Sequence, residues 1–239
     1  MPRFFIDYPV TDHVRVTGSD ARHIGFSLRM KPGEKITFCH GGTDHHSVIE
    51  TITENEVLCR VESSEPSRSE PTVSLTLYQA YPKQDKLEFI IQKTTELGIA
   101  RIVPFISARC VARPDEKSYA KKRERFCKIA EEAAKQSGRG IIPEIAPLMT
   151  INEAINDMKN HDLKLFCYEN GGERLGNISM PQSGSIALMI GSEGGFERAE
   201  AEAAEAAGAV QIWLGERILR CETCPVAVTA IIMNLTGNM

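Results

Sequence analysis

No stretch of this chain approaches the roughly 18 consecutive apolar residues that a membrane-spanning helix requires. The N-terminus, Met1-Pro2-Arg3-Phe4-Phe5-Ile6-Asp7, also lacks the long apolar segment of a secretory signal. Both absences point to a cytoplasmic protein with no membrane partner. The seven cysteines are odd in number and irregularly spaced, which argues against a disulfide framework and suits a reducing compartment. Phosphate-binding signatures are missing too: there is no G-x-G-x-x-G spacing, and no lysine follows the glycines as in a P-loop. What remains is ordinary for a globular protein, 42% hydrophobic and 25% charged over 239 residues. That length can bury one large core or two modest ones.

The net charge of −4 hides an uneven distribution. From Lys83 to Arg139 there are 14 basic and 8 acidic residues, a balance of +6, which leaves 14 basic and 24 acidic elsewhere, a balance of −10. A basic middle segment in an acidic chain is either a footprint for a polyanion or a solvated, salt-bridged helix face. Charge alone leaves both open.

The first 62 or so residues read as short strands at His13 to Thr17, Lys35 to Cys39, Ser47 to Thr51 and Glu56 to Val61, separated by turns such as Lys31-Pro32-Gly33 and Gly41-Gly42. Strands of that length and spacing predict a small barrel. The polar, proline-punctuated stretch from Ser63 to Pro71 reads as a linker, so the domains are expected at residues 1–70 and 71–239. Strands and helices then alternate, beginning with Val73, Leu75 and Leu77 and a helix over Leu87 to Leu97 closed by Gly98. A long helix is expected from about Tyr119 to Ser137, and Thr150 with Glu153 forms a capping box. The alternation predicts an α/β domain with a mostly parallel sheet.

Two glycine-bearing loops carry the most information. Gly191-Ser192-Glu193-Gly194-Gly195-Phe196 follows the apolar run Ile186 to Ile190, and Leu214-Gly215-Glu216-Arg217-Ile218-Leu219-Arg220 follows Val210 to Trp213. Ligands of open α/β sheets bind beyond the carboxyl ends of the strands, which is where both loops lie. Glu193 is a poor neighbour for phosphate. A cofactor with an adenosine and no phosphates fits better, and S-adenosylmethionine, whose sulfonium tolerates carboxylates, is the common one.

The chain resembles the bacterial RsmE-type enzymes of the SPOUT superfamily, which methylate N3 of a uridine in small-subunit (16S) ribosomal RNA. The similarity runs through Arg3-Phe4-Phe5, His23 with Leu28-Arg29-Met30-Lys31-Pro32-Gly33, Gln79 to Lys83, and Ile91 to Gly98. It continues through Glu132 to Arg139, the Gly191 loop and Leu214 to Thr223. The chain departs from the family pattern at two places, Ser192 where proline is expected and Cys224-Pro225 where small residues are usual. Ser192 resembles the corresponding loop of ribose 2′-O-methyltransferases of the same superfamily.

The resemblance implies a C-terminal SPOUT domain tied in a trefoil knot, an N-terminal PUA-like β-barrel that binds RNA, and a homodimer acting on ribosomal RNA or the small ribosomal subunit. It implies cofactor contacts at Leu188, Ile190, Gly191, Gly194, Gly195, Leu214, Gly215, Ile218 and Leu219, with no metal. Uridine N3 becomes nucleophilic only when its proton leaves. Glu193 and Glu222 are candidates to accept that proton, or merely cap the loops. Arg220 is the candidate to stabilise charge on the uracil oxygens, with an ion pair to Glu222 as the structural alternative. Arg3, His23, Arg29, Lys93, Gln136 and Arg139 are the candidate RNA contacts. A redox role for Cys221-x-x-Cys224 lacks a thioredoxin-like setting, and Cys39, His40, His45 and His46 lack the spacing of a zinc site. An RNA-binding protein without activity is the non-enzymatic competitor.

Overall fold

The computed structural model describes every residue except Asn170. The chain forms two compact units, Met1–Glu70 with Lys135–Ile141, and Pro71–Ala134 with Ile142–Met239. Among the described residues no helix is long and apolar enough to cross a membrane.

The first unit holds β1 (Arg3–Phe5), β2 (His13–Thr17), α1 (Gly18–Arg22), β3 (Lys35–His40), β4 (Thr43–Ile52) and β5 (Glu56–Pro66). A π-helical turn, His23–Ser27, continues α1. The sheet order is β1-β3-β4-β5-β2, antiparallel except for β1 beside β3. Strict alternation in β2 turns Val14 and Val16 inward, where they join Phe4, Ile24, Ile36, Phe38, Ile49 and Val57 in one core. Gly41 and Gly42 both have positive φ, 54° and 77°, the requirement of a two-residue hairpin turn. The stretch expected to be a linker from Ser63 is instead strand as far as Pro66, because β5 keeps pairing with Thr43 to His46 across two bulges. The three-residue strand β1 escaped the sequence reading, since it is too short to show alternation.

The second unit begins with β6 (Val73–Ala80), α2 (Lys86–Glu96), β7 (Arg101–Ile106), α3 (Glu116–Ser137, whose residues from Lys135 onward belong to the first unit), β8 (Glu144–Ile145), β9 (Met149–Thr150) and α4 (Ile151–Met158). It continues with β10 (Leu163–Cys167), β11 (Glu173–Arg174), β12 (Gly184–Ile190), α5 (Arg198–Ala206), β13 (Val210–Trp213) and α6 (Thr223–Leu235). The capping box at Thr150 and Glu153 is formed. Gly98, at φ 98°, ends α2 in the left-handed conformation expected of it.

The eight strands run in the order β11-β13-β10-β12-β6-β7-β8, with β9 also on β7, and every neighbouring pair is parallel. Central strands of such a sheet are buried on both faces and read as continuous apolar runs. β12 is one of them: Ile186, Ala187, Leu188 and Met189 are fully buried. From β6 the chain winds outward through β7 and β8, then returns to build β10, β12 and β13 on the other side. The direction of winding reverses between β6 and β12, and on one side of that reversal the turns that end β12, β10 and β13 enclose a crevice outside the carboxyl ends of the strands.

Candidate active site

The crevice is a cavity of about 710 Å³, within the range of small-molecule sites. Its walls come from the ends of three adjacent strands. Cys167 ends β10 and Tyr168 and Glu169 follow it, Ile190 ends β12 and leads into Gly191 to Gly195, and Trp213 ends β13 and leads into Leu214 to Cys221.

The first turn is held tightly. The Gly195 N–H donates to Ser192 O at 3.0 Å, and a Cβ on Gly191 would stand 3.1 Å from Gly195 Cα. Gln79, fully buried at the end of β6, donates from Nε2 to the Gly191 carbonyl at 3.2 Å. Arg109 Nη1 donates to the Gly194 carbonyl at 3.0 Å, and Phe196 stacks on Phe105 with centroids 6.4 Å apart. The second turn uses Gly215 at φ 109°. It ends where the N–H groups of Thr223 and Cys224 donate to Arg220 O, both at 2.9 Å, and start α6.

The cavity suits a ligand with polar groups and no phosphates. Ser192 Oγ is buried in the wall and has no partner among the described residues, an orphan that a ligand atom would satisfy. Glu169, Glu193 and Glu216 share the lining with Lys86, Arg217 and Arg220, so the wall is mixed in charge rather than a basic cradle. Cys167, Cys221 and Cys224 also line it. Burial pushes the Cys221 thiol up to about 12, which keeps it protonated and removes the thiolate that a redox role needs.

Eight of the nine expected cofactor contacts line this cavity. Leu188 does not. It is fully buried in the core of β12, two residues before the strand reaches the crevice, because its side chain serves sheet packing. Arg220 lines the cavity and is exposed; among the described residues no carboxylate pairs with it. The alternative of an Arg220–Glu222 ion pair is thereby corrected: Glu222 pairs with Lys86 Nζ at 3.1 Å. Glu193 pairs with the same ammonium at 3.1 Å.

Both carboxylates are held ionised. Burial works to raise Glu193, but the backbone N–H groups of Glu193 and Lys83 and the Lys86 ammonium outweigh it, and the pKa falls. Glu222 is likewise lowered against its burial, by its own N–H, by Lys86 and by the Cys221 thiol. Lys86 is raised by Glu222 and then Glu193. Lys86 and Arg109 carry no sequence signal beyond lying near the ends of strands, and Gln79 stands out only as part of a stretch of family similarity; the sheet order brings all three to the glycine turns.

The candidate RNA contacts divide. His23, Arg29 and Gln136 are at least partly exposed, and Phe26 on the π-helical turn with His23 is 67% exposed. Arg3 is engaged internally, with Nη1 and Nη2 on the two Asp44 oxygens at 2.7 and 2.8 Å. Arg139 is 3% exposed and pairs with Glu70 at 2.6 Å. Both are structural ion pairs of the first unit, since a buried guanidinium must be matched by a carboxylate. Lys93 pairs with Glu96 at 2.8 Å along α2.

Comparison with known proteins places the whole chain in a family. The RNA methyltransferase domain family matches residues 68–233, and the RNA methyltransferase PUA domain family matches residues 16–62. The ribosomal RNA small subunit methyltransferase E of Bacillus subtilis (strain 168) is 35% identical over 226 residues, covering 90% of this chain and 88% of that protein. The protein of the same name from Mycobacterium tuberculosis is 30% identical over 244 residues, covering 98% and 92%. The crystal structure of the Neisseria gonorrhoeae ribosomal RNA small subunit methyltransferase E bound to S-adenosyl methionine superposes with a TM-score of 0.89 at 33% identity, covering 98% of each chain. On these matches the chain belongs to the RNA methyltransferase family that contains the ribosomal RNA small subunit methyltransferase E enzymes.

Proposed function

We propose that this protein transfers the methyl group of S-adenosylmethionine to N3 of a specific uridine in small-subunit (16S) ribosomal RNA. The observation that carries the reading is the cavity between the two glycine turns, with a Ser192 hydroxyl in its wall that has no partner among the described residues, in a chain whose family includes an enzyme bound to that cofactor.

The cofactor supplies an electrophilic methyl group on a sulfonium. Ile190, Gly191, Gly194, Gly195, Leu214, Gly215, Ile218 and Leu219 would hold it, the glycines because a ligand can approach their backbone with no Cβ in the way. Arg220, lining the cavity with no carboxylate on it among the described residues, would stabilise the negative charge that develops on uracil oxygens as the N3 proton leaves to solvent water. Glu193 and Glu222 are ionised but committed to Lys86, which favours loop-holding over proton transfer for both. Positioning then supplies a large part of the acceleration.

In this reading residues 1–70 form the RNA-binding module and residues 71–239 the methyltransferase domain, with its end threaded in the trefoil knot that the resemblance implies. RNA contacts fall to His23, Arg29 and Gln136, and Phe26 adds an exposed ring on which an unpaired base can stack. A homodimer is supported by Phe89 and Ile231, 47% and 40% exposed on α2 and α6, helices that pack on each other. An enzyme of ribosomal RNA that works beside the ribosome belongs in the cytoplasm.

Mass mapping of small-subunit ribosomal RNA from a deletion strain tests the reading. One uracil methyl should be missing and be restored by the wild-type chain. A missing ribose methyl would favour the 2′-O-methyltransferase reading, to which the Gly191-Ser192-Glu193-Gly194 turn is similar, and no missing methyl would leave an RNA-binding protein.

A further inference from the structure

Lys86 heads α2, and its ammonium lies between carboxylates from two different turns. Nζ is 3.1 Å from Glu193 Oε1 and 3.1 Å from Glu222 Oε2. Glu193 belongs to the turn after β12, and Glu222 directly follows the turn after β13. Glu193 Oε1 also accepts the Lys83 N–H at 3.1 Å. Three segments distant in sequence therefore meet on one ammonium: the β6–α2 connection and the two turns that wall the cavity.

The three side chains are only 20% to 26% exposed, so solvent screens them less than an open surface pair. Lys86 lines the cavity itself and also a neighbouring recess walled by Gln84, Asp85, Phe89 and Glu222. Without the ammonium, two carboxylates would be left facing each other across the gap between the turns. Their repulsion would part the walls.

We infer that Lys86 is a positioning residue that latches the two cofactor turns together and so holds the cavity in its binding shape. The effect on cofactor affinity rests on the function proposed above; the latch itself does not.

Cys221 reports on the latch independently of the cofactor. It is 6% exposed, donates from Sγ to Glu222 Oε2 at 3.3 Å and lies 3.8 Å from Lys86 Nζ. Its alkylation by iodoacetamide, mapped by mass on the full-length protein, is compared in wild type, Lys86→Met and Lys86→Arg. Cys110, 4% exposed in the same unit, is the buried reference, and exposed Cys127 is the accessible one. Removing the nearby ammonium raises the Cys221 pKa and by itself slows alkylation, so acceleration reports opening alone.

Lys86→Met should alkylate at Cys221 about tenfold faster with Cys110 unchanged, and Lys86→Arg should stay near wild type. The dissociation constant for S-adenosylmethionine, measured by calorimetry, should rise about tenfold in Lys86→Met, the size of one charge-assisted hydrogen bond. A wild-type Cys221 rate in Lys86→Met overturns the latch whatever happens to the cofactor. If Cys110 also accelerates, the fold itself has loosened, and Lys86→Gln, which keeps a donor without the charge, is measured with the same criterion. Failure of the wild-type chain to bind S-adenosylmethionine overturns the cofactor reading and leaves the Cys221 comparison to judge the latch.

Discussion

Alanine at Gly194 would place its Cβ 2.9 Å from Arg109 Cβ and 3.2 Å from the Arg109 carbonyl oxygen. Neither atom is the free end of a side chain, so relief requires one of the two loops to move. Gly194 is not among the residues with positive φ, so the penalty comes from the contact alone. Overpacking of this kind costs about 2 kcal/mol. In a chain of this size that lowers the melting temperature by about 4–8 °C.

Two other glycines separate the causes. Gly215 has φ 109° and open space where a methyl group would stand, so Gly215→Ala carries only backbone strain, about 1–2 kcal/mol. Gly176 has open space and no positive φ, so alanine there restricts the unfolded chain and stabilises by about 0.4–1 kcal/mol. Thermal unfolding followed by circular dichroism, with calorimetric titration of S-adenosylmethionine, reads all three. Gly194→Ala should also weaken cofactor binding about tenfold or more, because the displaced turn is the cavity wall, while Gly176→Ala stays within about twofold. A Gly194→Ala protein that melts and binds like wild type would refute the close approach of the Arg109 loop.

Arg220→Ala should lower methyl transfer by about two to three orders of magnitude, with the melting temperature unchanged because the side chain is exposed and no described carboxylate holds it; near-normal turnover removes Arg220 from the mechanism. Arg29→Ala should weaken RNA binding and reduce its salt slope by about one without loss of stability, whereas Arg139→Ala should cost about 3 kcal/mol by removing the charge partner of Glu70, whose carboxylate keeps the Gly140 and Ile141 N–H groups; equal melting temperatures for the two would contradict the buried pair. Asp157 accepts from Tyr78 Oη and Arg101 Nη1, both at 2.7 Å. Burial tends to raise Asp157, but these donors hold it below the usual aspartate value. A depressed carboxylate stabilises the fold above its unfolded pKa and loses that contribution as pH falls through the folded value. Asp157→Asn should therefore cost about 2 kcal/mol at neutral pH and flatten the acid limb of a stability-against-pH curve. An acid limb as steep as wild type would assign the slope elsewhere.

Lys86, the residue on which both cavity turns converge, sits in the sequence as one lysine of a basic segment and suggests nothing. Its role depends on Lys83 and Glu193 meeting although 110 positions apart, which follows from β6 lying beside β12. Arg3 and Arg139 mislead for the same reason. They look like solvated or RNA-facing charges because their carboxylates stand 41 and 69 positions away. Leu188 is misplaced by a subtler effect: proximity to a glycine turn does not say where along a buried strand the crevice begins.

The features legible in the chain before folding are local or periodic. The alternation in β2, the Thr150 capping box, the glycine stops and the two turns after apolar runs each depend on a few neighbouring residues, whose dihedral preferences and hydrogen bonds act whatever the rest of the chain does. Strand order, the partners of Lys86, Arg3 and Arg139, and the burial of Ser192 emerge only once the sheet has formed. Pairing of charges and exclusion of water are properties of segments that the sheet brings together, and no short window of residues contains them.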